Sequence, residues 1–257
     1  MIFQIIESSS SGNCAFLECD GVKILIDAGV GIRKIRSFLS GYGLNTEDLD
    51  GIFITHEHVD HCASLRHFAG SKVKVYANRP TAEYIQYKES ATKKLNWNLF
   101  ETGGDFDFYG VAVESFSIPH DTSDPVGFSF AFGGKQLVYA TDLGKITDTV
   151  RSFVQKANIL VLESNYCPVM LENSNRPYSL KNRIKSPYGH LSNAEAISLL
   201  GEISSNIDRV FLAHISKQCN NVEHISELLN SSNVDSSVLS KVEIVSPFSK
   251  SSSRYET

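Results

Sequence analysis

His56, His58, Asp60 and His61 stand within six positions, just after the apolar run Ile52-Phe53-Ile54. The run reads as a buried strand, so the chain places three imidazoles and a carboxylate at the edge of its core. A polar group buried without a partner costs roughly 2–7 kcal/mol, and a charge costs more. A metal ion, or a pair of ions, is the simplest partner for so dense a cluster. In extended backbone, residues two apart project to one face, so His56 and His58 can clasp one ion. Asp60 and His61, in a loop or a first helical turn, aim elsewhere and can hold a second. Imidazole suits zinc, copper, iron and nickel, while carboxylate also suits manganese and magnesium. A lone His-x-His carries little weight. His-x-His-x-Asp-His at the end of an apolar strand carries far more.

A chain of 257 residues can build one large core or two small domains. The expectation is one domain over residues 1–246, with a frayed, serine-rich tail over 247–257. Hydrophobic residues at 42% and charged residues at 21% are ordinary for a globular protein, and no apolar run approaches a membrane span. The start, Met1 to Glu7, lacks the basic region of a signal peptide. The five cysteines are odd in number and form no Cys-x-x-Cys, which points to reduced thiols and a cytoplasmic setting. A net charge of −5 gives no global attraction to nucleic acid or anionic lipid, so a polyanionic substrate must be drawn by a local patch.

The first 27 residues alternate apolar runs with turns. Residues 2–6 and 15–18 read as strands around a loop at 8–13, and Asp20-Gly21 is a hairpin signal before a buried strand at 22–27. Residues 31–42 carry a helical apolar stripe. A strand follows at 72–77, and Pro80 opens a helix. Residues 105–117 read as a hairpin, and Gly133-Gly134 joins strands at 128–132 and 136–140. Helices are expected at 147–157, 194–203 and 222–229, and strands at 158–163, 209–214 and 241–245. Ser192 and Glu195 form a capping box before the second of these helices. His67 and His224 fall on helix surfaces. Four apolar strands end in ionisable residues: Asp27, His56, Asp142 and His214. His120 and Glu163 follow strand-like runs as well. Such ends, gathered on one edge of a sheet, make a natural site. A β-rich start followed by helix–strand alternation in each half predicts an α/β fold, a four-layer αββα sandwich of two mixed β-sheets flanked by helices.

Residues 173–190 carry Arg176, Lys181, Arg183 and Lys185 and no acidic residue. This basic loop lies between Glu163 and Gly189-His190-Leu191-Ser192. Lys and Arg beside a metal site are what a phosphate backbone requires. Tyr178 and Tyr188 are interleaved and can stack on bases or pack in the loop.

The order Asp27, His56-x-His58-x-Asp60-His61, His120, Asp142, His214 resembles the metallo-β-lactamase superfamily along nearly the whole chain. The resemblance implies two divalent ions, zinc or manganese. His56, His58 and His120 would hold the first, Asp60, His61 and His214 the second, and Asp142 would bridge them. Asp27 would orient the histidine loop by hydrogen bonds. Glu163 and His190 resemble the acid/base pair of nuclease members, with Asp60 also counted among the catalytic residues. Ser10-Ser11-Gly12-Asn13, Asp124-Pro125-Val126-Gly127-Phe128, Tyr139-Ala140-Thr141-Asp142, Glu163-Ser164-Asn165-Tyr166, Gly189 to Asn193 and Leu212 to Ser216 together look like the YycJ/WalJ (VicX) family. That family comprises bacterial cytoplasmic proteins associated with 5′-to-3′ exonuclease activity on DNA. The resemblance therefore implies a DNA substrate, contacted by Ser11, Asn13 and the four basic residues. The chain departs from the family at Cys167, where aspartate is expected, and at Cys62.

Three rival readings stand beside this one. A small-molecule ester or thioester hydrolase would need the metals but not the basic loop or the Glu163/His190 pair. A tRNA 3′-processing enzyme usually inserts a substrate arm before the bridging aspartate, and only 21 residues lie between His120 and Asp142. A metal-stabilised regulatory module would need no acid/base pair at all.

Overall fold

The computed structural model describes residues 1–204, 206–248 and 251–257. One seven-stranded sheet contains β1 (Ile2–Ser9), β2 (Gly12–Cys19), β3 (Val22–Ile26), β4 (Gly51–Phe53), β5 (Lys74–Asn78) and β6 (Asn96–Phe100). The other contains β7 (Asp105–Phe108), β8 (Val111–Ser117), β9 (Val126–Phe132), β10 (Lys135–Ala140), β11 (Ile159–Glu163), β12 (Arg209–Ala213) and β13 (Val242–Ile244). A last strand, β14 (Tyr255–Glu256), returns to the first sheet and pairs with β1. Both sheets are mixed. β1 to β3 are antiparallel and β3 to β6 parallel, while β7 to β10 are antiparallel and β10 to β13 parallel.

Helices cover the outer faces. They are α1 (Ile32–Gly41), α2 (Val59–Cys62), α3 (Arg79–Lys88), α4 (Asp148–Val154), α5 (Pro168–Glu172), α6 (Tyr178–Lys185), α7 (Asn193–Leu200), α8 (Val222–Asn230) and α9 (Ser236–Leu239). None among the described residues is long and apolar enough to cross a membrane.

Alternation along the strands builds the αββα sandwich that the sequence predicts. In β11, Ile159 and Val161 face the other sheet, while Leu160 and Leu162 face the helices. In β12 the inward residues are Phe211 and Ala213 and the outward ones Val210 and Leu212. Strands buried on both faces need apolar residues at every position, which is why these runs read as continuous. Phe53 anchors the centre. Its ring stacks on Tyr76 at 4.7 Å and meets Phe108, Phe128 and Phe130 edge-on at 5.2–5.7 Å. Pairs of this kind contribute about 0.5–1.5 kcal/mol each beyond their buried area. They hold the end of β4, and with it the histidine segment, against the second sheet.

Four expectations need correction. The segment 8–13 is not a loop, because β1 and β2 run on to Ser9 and Gly12 with a tight turn between them. The basic segment is not a loop throughout: a short helix, α5, precedes it and α6 forms within it. Pro168 stands at the first turn of α5, and Leu180 and Ile184, one turn apart in α6, join a small cluster with Tyr166, Leu171 and Cys219. Two apolar residues are too few to announce a helix by periodicity. The tail is not frayed over the residues described. Ser252 N donates to Ile5 O at 2.9 Å, Ile5 N donates to Ser252 Oγ at 2.9 Å, and β14 pairs with β1. An edge strand offers open backbone groups, and the tail satisfies them. Helices α4 and α7 also end earlier than predicted, at Val154 and Leu200.

Candidate metal centre

Parallel pairing of β3 with β4, and of β10 with β11 and β12, brings their C-terminal ends to one edge of the sandwich. Three residues there leave their strands in the left-handed conformation: Asp27 (φ 60°), Asp142 (φ 60°) and His214 (φ 53°). Such backbone is uncommon outside glycine and costs of order 1–3 kcal/mol, so it persists only where its surroundings impose it. It turns each side chain from the strand direction into the space between the sheets' edges.

Four groups of donor atoms result, each within 4.8 Å: His56, His58 and His120; Asp60, His61 and His214; His56, His61 and Asp142; and Asp142, Glu163, His190 and His214. His58 Nδ1 lies 3.2 Å from His56 Nε2 and 3.3 Å from His120 Nε2. Asp142 reaches towards both sides, with Oδ2 3.1 Å from His61 Nε2 and Oδ1 3.8 Å from His120 Nε2. Asp60 Oδ2 is 3.7 Å from Nε2 of both His61 and His214.

The outer nitrogens of the rings are held by the fold. His120 Nδ1–H donates to Gly189 O at 3.0 Å, which directs Nε2 at the cluster. His61 Nδ1 is 2.7 Å from Asp27 Oδ2. Thr55 ties this segment together. Its backbone N–H and hydroxyl both donate to Asp27 Oδ1, at 2.9 and 3.0 Å, and the hydroxyl lies 3.0 Å from His56 Nδ1. Gly29 makes the packing possible, since a Cβ there would meet Asp60 O at 1.6 Å. Ala28 N donates across that contact to His61 O at 2.8 Å.

Do these donors suit a metal? Asp142 Oδ2 and His214 Nε2 are buried and lack hydrogen-bond partners. Orphaned buried atoms of this kind cost free energy in a folded protein unless a water or an ion satisfies them. A set of imidazole and carboxylate donors suits a divalent cation.

Electrostatics divides the cluster. Burial pushes His56, His58 and His120 below the usual imidazole range, which keeps their ring nitrogens free of protons. On the other side burial works in the same direction but loses to carboxylates. Asp142, Asp60 and Glu163 bring His214 up to about 10, and Asp27 and Asp142 raise His61 as well. Asn13 Nδ2 lies 3.0 Å from His61 Nε2. Asp60 resists burial and falls to about 2 beside His61 and His214.

Glu163 and His190 adjoin the cluster. His190 Nδ1 is 2.8 Å from Glu163 Oε1, and Glu163 Oε2 accepts from Leu143 N and Leu191 N at 2.9 and 3.1 Å. Burial would keep Glu163 neutral, but His190 and His214 pull its pKa below the ordinary value. One cavity of about 390 Å³ is lined by His58, Asp60, Asp142, His190, His214 and, from above, Arg176 and Arg183.

The basic residues thus separate. Arg176 and Arg183 face the cavity, Arg183 paired with Asp121 and Arg176 bonded to Gln218. Lys181 and Lys185 turn back to Glu172, on its carbonyl and its carboxylate. Asn13 is fully buried behind His61 and Asp60, which removes it from contact with a substrate. Ser11 is exposed at the β1–β2 turn, where Lys217 Nζ donates to its hydroxyl at 3.1 Å. His67 is exposed and His224 partly exposed, both away from the cluster. Sequence reasoning gave Thr55 and Asn165 no role of their own, although both stand in stretches that resemble the family, and did not single out Lys217. Asn165 Nδ2 donates to His214 O at 2.7 Å. Thr55 had a signal in its place directly before His56. Lys217 had none.

Residues 22–215 match the model of the β-lactamase superfamily domain. The chain is 32% identical over 234 residues to the exodeoxyribonuclease WalJ of Streptococcus pneumoniae, covering 88% of this chain and 85% of that protein. It is 31% identical over 228 residues to the exodeoxyribonuclease YycJ of Bacillus anthracis, covering 88% and 86%. Its fold superimposes on the metallo-β-lactamase fold protein YhfI of Bacillus subtilis with a TM-score of 0.75, at 17% identity, over 100% of this chain and 98% of that one.

Proposed function

The chain belongs to the metallo-β-lactamase superfamily and, within it, to the family of the WalJ and YycJ exodeoxyribonucleases, and from that premise we propose that it is a divalent-metal-dependent phosphodiesterase degrading DNA from its 5′ end. The observation that carries the chemistry is the Glu163–His190 pair, 2.8 Å apart and in the same cavity as two arginines. A cationic rim suits a phosphodiester, because guanidinium groups bind phosphate oxygens through paired, charge-assisted hydrogen bonds.

In this reading His56, His58 and His120 would hold one divalent ion and Asp60, His61 and His214 a second, with the Asp142 carboxylate, which reaches towards both sets, available to either. Zinc and manganese suit these donors. Bound there, divalent ions acidify water and neutralise charge on the phosphate. His190 acts as the acid. Glu163 holds its Nδ1, leaving Nε2 to pass a proton to the departing oxygen, an effect typically worth ~10²–10⁴-fold. Asp60, about a quarter exposed to the cavity, accepts a hydrogen bond from the attacking water. Arg176 and Arg183 engage the non-bridging phosphate oxygens. All five cysteines are free thiols, which fits a cytoplasmic enzyme.

The test is purified protein loaded with Mn²⁺ or Zn²⁺ and offered 5′-labelled double-stranded DNA, single-stranded RNA and a thioester. The expected result is release of nucleotides from the DNA. Cleavage of the thioester alone overturns the proposal.

A further inference from the structure

Beyond the first residue of α2 a second cavity, of about 480 Å³, adjoins the metal cluster. His58 and Val59 line both cavities, so Val59 forms the ridge between them. Val59 is apolar and yet 75% exposed. It has no part in the core, and nothing in the phosphodiester chemistry uses it. The second cavity is lined by apolar Ile85 and Ala63, by Tyr84 and Lys88 of α3, by Arg66, and by the carboxylates of Glu57 and Glu89. Tyr84 is 42% exposed and Tyr87, one turn on, 80%. Lys88 Nζ lies 5.4 Å and 5.5 Å from the centres of these two rings. Arg66 is paired with Glu89 at 3.8 Å.

We propose that this cavity takes the unpaired nucleobase of the nucleotide next to the cleaved phosphodiester, with Val59 as the ridge over which the strand passes. The proposal rests on the nuclease reading above. Three features select this occupant. The volume is within the range of small-molecule sites. An exposed phenol ring beside apolar Ile85 and Ala63 offers a stacking platform that suits any base. Lys88 at the rim is placed for a flanking phosphate, since cations supply the affinity for a nucleic-acid backbone. The cavity meets the site cavity at His58 and Val59, so a strand held in one can extend over the ridge into the other. A paired and stacked base cannot enter, because the ridge stands between the two cavities. The enzyme therefore acts on a strand end that is single-stranded or has frayed.

The experiment uses the full-length, metal-loaded protein and oligothymidylate, intact or with one abasic residue at each of the three positions nearest the cleaved end. Binding is read by fluorescence anisotropy. Hydrolysis is read on the same oligonucleotides and on bis(p-nitrophenyl) phosphate, which is too small to span the ridge. In Tyr84→Ala the affinity for intact oligothymidylate falls roughly tenfold, as loss of one stacked base predicts. The ratio of kcat/KM for oligonucleotide over bis(p-nitrophenyl) phosphate falls with it. At one position an abasic residue weakens the wild type by the same factor and costs Tyr84→Ala nothing further. Tyr84→Phe keeps the ring and binds as the wild type does. Unchanged affinity in Tyr84→Ala, or additive losses at all three positions, overturns the proposal and leaves the cavity to an apolar side chain of a protein partner. Wild-type protein that cleaves neither substrate refutes the nuclease reading instead, and the binding measurements still decide the pocket.

Discussion

Oε1 of Glu163 lies 2.8 Å from Nδ1 of His214, and the same oxygen lies 2.8 Å from Nδ1 of His190. One buried carboxylate thus orients both a ring of the metal cluster and the proposed acid. Outer hydrogen bonds of this kind set which ring nitrogen carries the proton and where the other points. Under the proposed mechanism, metal binding and proton transfer would therefore be coupled through a single side chain.

The two histidines can be separated by substitution. His190→Ala lowers the DNA-cleavage rate by ~10²–10⁴-fold while the metal content stays at the wild-type level. Glu163→Gln lowers the rate too, and in addition weakens metal affinity by ~10–100-fold through His214. Metal content by elemental analysis, measured alongside kcat, distinguishes the two. A Glu163→Gln protein with full metal affinity shows that the shared oxygen has no bearing on the cluster.

Thr55 has no place among the proposed metal donors, yet its loss reaches the cluster. In Thr55→Val the buried carboxylate of Asp27 loses its hydroxyl donors and keeps only the backbone N–H and His61. Removing one partner of a buried polar group costs about 1–3 kcal/mol. The expected outcome is a lower melting temperature and metal affinity reduced by ~10–100-fold. Thr55→Ser, which keeps the hydroxyl, restores both, and equal behaviour of the two variants removes the role.

Loading with metal is expected to release protons. Asp142, Asp60 and Glu163 overcome burial and raise His214 to about 10 from an ordinary value of 6.5. The metal-free protein therefore carries this proton across the neutral range. Its stabilising effect is full below the ordinary value and is lost as pH rises through about 10. A metal ion needs the bare nitrogen, so its apparent affinity rises with pH over that window. Calorimetric titrations of metal-free protein at pH 7, in buffers of different ionisation enthalpy, report the number released. A value of zero places the proton elsewhere.

The four basic residues divide into two pairs with different effects. Neutralising Arg176 and Arg183 should reduce the salt dependence of binding to single-stranded DNA, by a slope of about 0.7 for each phosphate they no longer neutralise. Neutralising Lys181 and Lys185, which face Glu172, should leave the slope as it was. The comparison is affinity against salt concentration for the two double variants. Equal slopes return α6 to the role of a solvated helix.

Much of this was legible in the chain because apolar strands that end in His, Asp or Glu interrupt their own pattern. Asp27, His56, Asp142, Glu163 and His214 each stand out in that way, and the β-rich start with helices and strands alternating in each half announces the layered fold. Helices α5 and α6 did not show, since a short amphipathic helix with Leu180 and Ile184 as its apolar residues cannot be told from a loop. The tail misled because serine-rich composition reports on solvation and not on the free backbone groups of β1. Asn13, expected at the substrate, lies behind His61 because β2 runs further than the Ser-Gly-Asn composition suggests.

By itself the sequence determined which donors the protein owns and that they stand at strand ends, because ligand chemistry belongs to residue types and strand periodicity to local pattern. Only the tertiary structure decided which donors face each other. The packing of Phe53 against Phe108, Phe128 and Phe130 locks one sheet to the other. That lock brings His56 to His120 and His61 to Asp142 across more than sixty residues of chain. The shared oxygen of Glu163 and the ridge at Val59 follow from the same packing, which no local stretch encodes.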